Sequence, residues 1–316
     1  MSSNNRQIIF FNPEMKSLAE SMQATHPDMF ELGAISWQFF EDGFPNLFIQ
    51  KVETIRGRDI VILLSFLRQD QMLAQLSVIY ALPRYFVGSL KIILPYFPTG
   101  TMERVDEEGQ IATAFTFARL LSRTPLTIKG PAKLVIYDIH ALQTRFYFDD
   151  SVVPLLVSAI PMFLRILQEK HANEKIVIVF PDEGAWKRFK KNFDHSWETV
   201  CCIKVREGDK RVVKIKEGEE HLDKAHAFIV DDLVKSGGTL LECKGAITRA
   251  GATKVSAFVT HAVFPNRSYE RFKEEDFSTF YTTDSCPETS QQLEGRAPFK
   301  VLPLAPSISD IVINYQ

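Results

Sequence analysis

The sequence predicts an α/β fold with mainly parallel sheets flanked by helices, and three observations carry the prediction. Apolar runs of strand length alternate with amphipathic segments of helix length along the chain. Several of those runs are β-branched and nearly uninterrupted, as strands buried on both faces must be. The chain has 316 residues, and its strand–helix rhythm repeats in two halves meeting near residues 147–151. At roughly 150 residues per domain, that length suits two domains, 1–150 and 151–316.

In the first half, strands are expected at 7–11, 59–64, 90–96 and 134–139, where Ile, Val, Leu and Phe dominate. Helices are expected at 69–82 and 110–122, where apolar residues recur at helical spacing. Residues 36–51 read as a hairpin, with Asp42-Gly43 and Pro45-Asn46 supplying the turn. The second half continues with a helix at 154–170, a strand at 176–180 and a helix at 183–192. A strand at 225–230, a helix at 238–250 and a strand at 254–260 follow. Residues 204–220 are charge-dense, contain Gly208 and Gly218, and have little to bury. They read as a solvated hairpin or as a mobile lid.

Composition narrows the function. Thirty-seven basic against 39 acidic side chains leave a formal charge of −2, which argues against a nucleic-acid partner needing a basic excess. The longest apolar-leaning run, 152–164, holds two prolines and falls short of the roughly 20 residues that span a membrane. Neither a membrane association nor a signal-peptide core is expected. Cys201, Cys202, Cys243 and Cys286 form no CxxC pair, so they read as reduced thiols of a cytoplasmic protein. The 25 phenylalanines point to tightly packed sheet faces.

The strongest local signal is Ala227-Phe-Ile-Val-Asp-Asp-Leu-Val-Lys-Ser-Gly-Gly-Thr239. A buried strand ends at Val230, Asp231 and Asp232 project from its carboxyl end, and a loop of small residues leads into a helix. Ligands of open α/β sheets gather at that end of the strands. The helix N-terminus offers free N–H groups to a phosphate, Gly237 and Gly238 let the backbone approach it, and Ser236 and Thr239 add hydroxyl donors. The acids can accept hydrogen bonds from sugar hydroxyls or hold Mg²⁺. The bland alternative is a strand-to-helix turn whose acids merely cap the helix. No GxxxxGK[ST], GxGxxG or HExxH pattern is present.

The loop resembles the phosphoribosyl-pyrophosphate (PRPP) motif, with Lys235 where phosphoribosyltransferases often carry an acid. The resemblance extends to Phe40-Glu-Asp-Gly-Phe-Pro-Asn46, Leu94-Pro-Tyr-Phe-Pro-Thr-Gly-Thr101 and Tyr137-Asp-Ile-His-Ala-Leu142. It continues in Phe180-Pro-Asp-Glu-Gly-Ala-Trp-Lys-Arg188 and Lys204-Val-Arg-Glu-Gly-Asp-Lys-Arg211. On these segments the chain resembles the PRPP synthetases (ribose-phosphate diphosphokinases), most closely their plant-type class II branch. The resemblance implies two phosphoribosyltransferase-like α/β domains, with the last helix packing back on the first. It also implies transfer of the β,γ-diphosphoryl group of ATP to the C1 hydroxyl of ribose 5-phosphate, with Mg²⁺ as cofactor and AMP released.

Matched residue by residue, the resemblance implies that Asp231 and Asp232 hold the ribose hydroxyls and a metal ion. Ser236, Gly237, Gly238 and Thr239 would clasp the 5-phosphate. His140 falls near the ATP phosphates and the metal, and Asp182 matches a metal-associated aspartate whose loop, entering a helix, reads as a second phosphate cradle. Lys204 and Arg206 occupy the K-x-R of a catalytic flexible loop. Phe40 and Asp42 match an adenine-recognition element, and Arg104 could add a cation. Phe44 and Thr101-Met102 depart from the class I pattern and agree with class II. The resemblance further implies a homo-oligomer, because a neighbouring subunit completes the adenine pocket. A PRPP-consuming transferase would lack the set His140, Asp182, Lys204 and Arg206. A non-catalytic regulatory subunit would show damage in the flexible or phosphate loop.

Overall fold

The computed structural model describes residues 6–99, 101–207 and 210–314. Gly100 of the 94–101 motif, and Gly208 and Asp209 of the expected lid, lie outside the described residues. The chain forms two compact units: residues up to Val157 together with those from Pro303 onward, and Ser158–Leu302.

In the first unit, β1 (Gln7–Phe11), β2 (Phe30–Leu32), β3 (Ile35–Phe39), β4 (Pro45–Ile49), β5 (Asp59–Leu63), β6 (Ser89–Ile93), β7 (Ala132–Tyr137) and β8 (Val152–Val157) alternate with α1 (Lys16–Thr25), α2 (Met72–Arg84) and α3 (Thr113–Leu121). Six strands form a sheet of order β2-β1-β5-β6-β7-β8 in which every neighbouring pair is parallel. Its central residues, such as Val61, Ile62, Leu63, Ile92 and Ile93, are fully buried, which explains the unbroken apolar runs. Strands β3 and β4 pair separately as the expected antiparallel hairpin. Trp37 ties the hairpin to the sheet, its Nε1 donating to the Phe11 carbonyl at 3.0 Å.

The expected helix at 154–170 divides in two. Its first residues belong to β8, and the helix α4 begins only at Ile160 and runs to Lys170. Pro154 has no N–H to donate, yet β8 is an edge strand with β7 on one side only, where proline is tolerated.

The second unit contains β9 (Ile176–Phe180), β10 (Glu198–Glu207), β11 (Lys210–Glu217), β12 (His226–Val234), β13 (Lys254–Ala262), β14 (Phe280–Thr283) and β15 (Phe299–Leu302), together with α4, α5 (Glu183–Phe189), α6 (Gly238–Arg249) and α7 (Pro287–Leu293). Its sheet has the order β11-β10-β9-β12-β13-β14-β15, and only the β10–β11 pair is antiparallel. One face packs Val177, Val179, Ala227, Ile229, Leu240 and Ile247. On the other, Phe163 of α4 stacks on Phe258 with centroids 4.4 Å apart. Phe264, Phe272, Phe277, Phe280 and Phe299 form a cluster of edge-to-face and tilted rings, so these phenylalanines pack a sheet face, whereas Phe39, Phe40, Phe44 and Phe48 of the hairpin are exposed. The last helix, α8 (Ala305–Asn314), belongs to the first unit, where it packs on α1.

Candidate functional site

The order of the second sheet reverses at β9: the chain moves out through β10 and β11, then returns to place β12 on the other side. Such a switch point opens a crevice at the carboxyl ends of the two central strands. Asp182 follows β9, and Asp231 and Asp232 lie on β12 beyond Ile229, the last residue in register with β9.

Lys204 reaches this place because β10 outruns its neighbour. Residues 198–201 pair with β9, and the remainder of β10 pairs only with β11 as a two-stranded ribbon. Lys204 Nζ donates to Asp182 Oδ2 at 2.6 Å, and Asp182 Oδ1 accepts from the Ala185 N–H at 2.9 Å. Asp182 is therefore the N-cap of the seven-residue α5, so within the turn expected as a second phosphate cradle the Ala185 N–H already has a partner. Arg206 is exposed farther along the same ribbon.

The acids differ electrostatically. Burial works to raise the Asp182 carboxyl, but the Lys204 ammonium and the Ala185 N–H outweigh it and hold Asp182 below the usual range. Asp231 is pushed well above that range, first by burial and then by the adjacent Asp232 and by Asp182. Asp232 is only 6% exposed, and its N–H donates to Asp231 Oδ1 at 2.9 Å. Asp232 and Asp182 each act electrostatically on Asp231, and carboxylate oxygens are hard donors of the kind Mg²⁺ prefers, although the three side chains do not converge on one point as a closed ligand set.

The loop after β12 is a built turn. Gly237 caps α6 with φ +79°, and a Cβ there would meet Phe272 Cζ at 2.2 Å. Gly238 differs: a Cβ on it would meet no atom within 4 Å, so the backbone of the first turn of α6 faces open space. Ser236 is exposed and Thr239 half-buried. Two side chains invisible to motif reading hold the loop in place. Arg271 Nη1 donates to the Ser236 carbonyl, and Ser268 Oγ donates to the Lys235 carbonyl, both at 2.8 Å. They come from the 3-10 segment Pro265–Arg271, more than thirty residues downstream and lacking any recognisable pattern.

In the first unit, His140 is exposed just past the carboxyl end of β7. The preceding Asp138 is fully buried with φ +31°, a left-handed backbone that non-glycine residues adopt at some energetic cost. Phe40 and Asp42 sit at the tip of the β3–β4 hairpin, where Asp42 Oδ1 accepts from the Phe44 N–H at 3.1 Å and Gly43 takes φ +84°. Phe40 is 55% exposed. Arg104, also exposed, pairs with Asp106 at 3.4 Å.

Residues 8–124 match the family model described as the N-terminal domain of ribose phosphate pyrophosphokinase. The chain is 51% identical over 313 residues to ribose-phosphate pyrophosphokinase 3, mitochondrial, of Spinacia oleracea, covering 97% of this chain and 76% of that one. It is equally 51% identical over 308 residues to ribose-phosphate pyrophosphokinase 4 of Arabidopsis thaliana, covering 96% and 90%. The crystal structure of phosphoribosylpyrophosphate synthetase from Mycobacterium smegmatis shares the fold at TM-score 0.81 and 21% identity, over 98% of this chain and all of that one.

Proposed function

From the premise that the chain belongs to the ribose-phosphate pyrophosphokinases of the plant type, we propose which residues carry the reaction. The activity is that of a ribose-phosphate diphosphokinase: the β,γ-diphosphoryl group of ATP passes to the C1 hydroxyl of ribose 5-phosphate, giving PRPP and AMP. No observation favours a non-catalytic subunit. Both units are phosphoribosyltransferase-like α/β domains.

The observation that carries the assignment is the grouping of Lys204, Asp182 and the Asp231–Asp232 pair at the switch point of the second sheet, followed by the open backbone at Gly238. Asp231 and Asp232 receive the ribose hydroxyls, and Ser236, Gly237, Gly238 and Thr239 hold the 5-phosphate through the amino end of α6. In the second unit Asp182, Asp231 and Asp232 would offer oxygens to Mg²⁺, which would neutralise charge on a polyphosphate; in the first unit His140 would offer a ring nitrogen to the metal or the ATP phosphates. Asp182 keeps Lys204 at hand. When the polyphosphate arrives, Lys204 exchanges a carboxylate oxygen for a phosphate oxygen, and with Arg206 it stabilises charge on the transferring group. In the first unit Phe40 stacks on the adenine, Asp42 accepts its amino group, and Arg104 leaves Asp106 for a phosphate.

The exposed Phe39, Phe40, Phe44 and Phe48 of the hairpin support assembly into a homo-oligomer, which light scattering after gel filtration checks. All four cysteines are buried free thiols, which supports a reducing compartment such as the cytoplasm. Fluorescence of the tagged chain in its own cell checks the compartment. Among the described residues no helix is long and apolar enough to cross a membrane.

The decisive experiment mixes the purified chain with ATP, Mg²⁺ and ribose 5-phosphate and follows AMP. AMP appearing in step with PRPP is the expected result. Silence while both substrates still bind would overturn the catalytic reading.

A further inference from the structure

At the amino-terminal edge of the second sheet, opposite the carboxylate cluster, stand His171, Glu174 and His226. None of the activity above uses them. One ligand atom from each lies within 4.8 Å of the other two. His171 and Glu174 share a tight turn after α4, closed by the Glu174 N–H donating to the His171 carbonyl at 3.0 Å. His226 is the first residue of β12 and is buried. The Glu174 carboxylate lies between the two imidazoles: Oε1 is 3.1 Å from His171 Nδ1, and Oε2 contacts His226 Nδ1 more closely still.

Each imidazole is held from behind. His171 Nε2 lies 3.2 Å from the Tyr281 hydroxyl, and His226 Nε2 lies 2.8 Å from Ser256 Oγ. Without a metal each Nδ1–H donates to Glu174 and the hydroxyls can donate to Nε2; a hydroxyl can equally accept Nε2–H once a metal displaces the Nδ1 proton, and outer partners of this kind orient histidine ligands in metal sites. Two imidazole nitrogens and one carboxylate suit a borderline divalent cation of the zinc class, with a fourth position left to water. Bonds of about 2.0–2.1 Å put tetrahedral ligand atoms about 3.3 Å apart. The two contacts run to different oxygens of Glu174, so the carboxylate has to turn, or bind through both oxygens, while the His226 contact lengthens and the two imidazole nitrogens, within 4.8 Å of each other, draw together. Glu174 is 30% exposed and His171 12%, which leaves an entry path from solvent.

We propose that His171, Glu174 and His226 form a transition-metal site of the zinc class that clips the turn after α4 to the start of β12. The site is separate from the Mg²⁺-binding acids. His226 and Asp231 are five residues apart on one strand, about 17 Å at 3.3 Å per residue. Lys254 Nζ stands 3.8 Å from Glu174 Oε2 and competes with the metal as the resident cation.

The test titrates Zn²⁺ calorimetrically into the full chain, freed of metal by chelator and kept in excess Mg²⁺ to fill the carboxylate cluster. Co²⁺ absorption in the visible reports the ligand set. His226 is buried enough that its removal risks misfolding, so the variants are Glu174→Gln and His171→Asn, with Lys254→Ala as the opposing change. The expected result is one saturable equivalent, a tetrahedral Co²⁺ spectrum and a higher melting temperature with Zn²⁺. Affinity should fall at least tenfold in Glu174→Gln and His171→Asn, and rise in Lys254→Ala. Absence of saturable binding, or equal binding by wild type, Glu174→Gln and His171→Asn, overturns the proposal while leaving the diphosphokinase reading intact.

Discussion

Gly237 and Gly238 are neighbours in one loop, and substitution to alanine should affect them in opposite ways. At Gly237 the backbone stands at φ +79°, where a side chain costs roughly 1–2 kcal/mol. Its new Cβ would also fall 2.2 Å from Phe272 Cζ and 2.4 Å from Cε2. Phe272 is 3% exposed and wedged among Phe264, Phe277 and Phe280, so the ring has little room to yield. Overpacking of this kind adds roughly 1–3 kcal/mol. Gly237→Ala should therefore lose about 2–5 kcal/mol, a fall of roughly 4–20 °C in melting temperature. At Gly238 no atom lies within 4 Å of the new Cβ, and α6 begins there. Gly238→Ala should hold or gain stability, by up to about 0.5–1 kcal/mol. Its methyl group, however, enters the space assigned to the 5-phosphate. Losing one charge-assisted backbone hydrogen bond, worth about 1.5–3 kcal/mol, weakens ribose 5-phosphate binding roughly 10- to 150-fold. Calorimetric titration with ribose 5-phosphate, beside thermal melts of both variants, separates the two effects. Gly238→Ala binding within twofold of wild type would refute the phosphate assignment, and Gly237→Ala melting like wild type would refute the packing argument.

Lys204→Ala should lower kcat by about 10²–10³-fold (~3–4 kcal/mol) and leave ribose 5-phosphate affinity within twofold, as steady-state kinetics and calorimetry would show. Asp231→Asn removes a like charge from beside Asp232 and Asp182, so in chelator it should melt above wild type. With Mg²⁺ it should show none of the wild type's further gain, and its turnover should be lost. Lys91 lies buried in the first sheet, donating to Gln7 Oε1 at 3.0 Å, and burial lowers its ammonium from 10.5 to about 8, with Asp59 offsetting part of the shift. Because the unfolded chain binds this proton more tightly, wild-type stability should gain a rising component between pH 8 and 10.5. Urea unfolding across that range should show the component missing from Lys91→Met, and parallel curves would refute it.

The strands 7–11 and 176–180 were legible because a parallel strand buried on both faces must be apolar at every position, and few other structures demand that. The strand end, tight turn and helix start at 231–239 were legible for a similar reason: a turn with Gly237 at φ +79° against Phe272 restricts residue types within a short stretch. Strand β8 was not legible, since Pro154 and the apolar run beyond it carry as much helical as extended signal, and only the vacant side of β7 decides between them. Strands β14 and β15 are short and depend on partners distant in sequence, whereas the last helix, α8, was expected through the resemblance alone. The cluster His171, Glu174 and His226 spans two elements 52 residues apart, so the spacing of its members carries no local pattern. Arg271, Ser268 and Phe272 were invisible for the same reason: the contacts that shape the phosphate loop reach it through space.

Strand β12 shows why the site forms where it does. It stays in register with β13 as far as Val234, paired with Ala262, but its register with β9 ends at Ile229, paired with Val179. Up to that point the strand is pinned on both edges, with Ala227, Phe228 and Ile229 fully buried. Beyond it, the edge toward β9 opens where Asp231 and Asp232 stand and Asp182 arrives from the facing strand. Packing holds the acids close enough to repel one another while leaving one side of the strand for a ligand. On the proposed reading, the repulsion that burial enforces on Asp231 favours a cation there, because a positive charge relieves it, and a sugar hydroxyl would add a hydrogen-bond donor. Position also explains why β10 must be long: only a ribbon extending past the end of β9 can carry Lys204 to Asp182 on that open side.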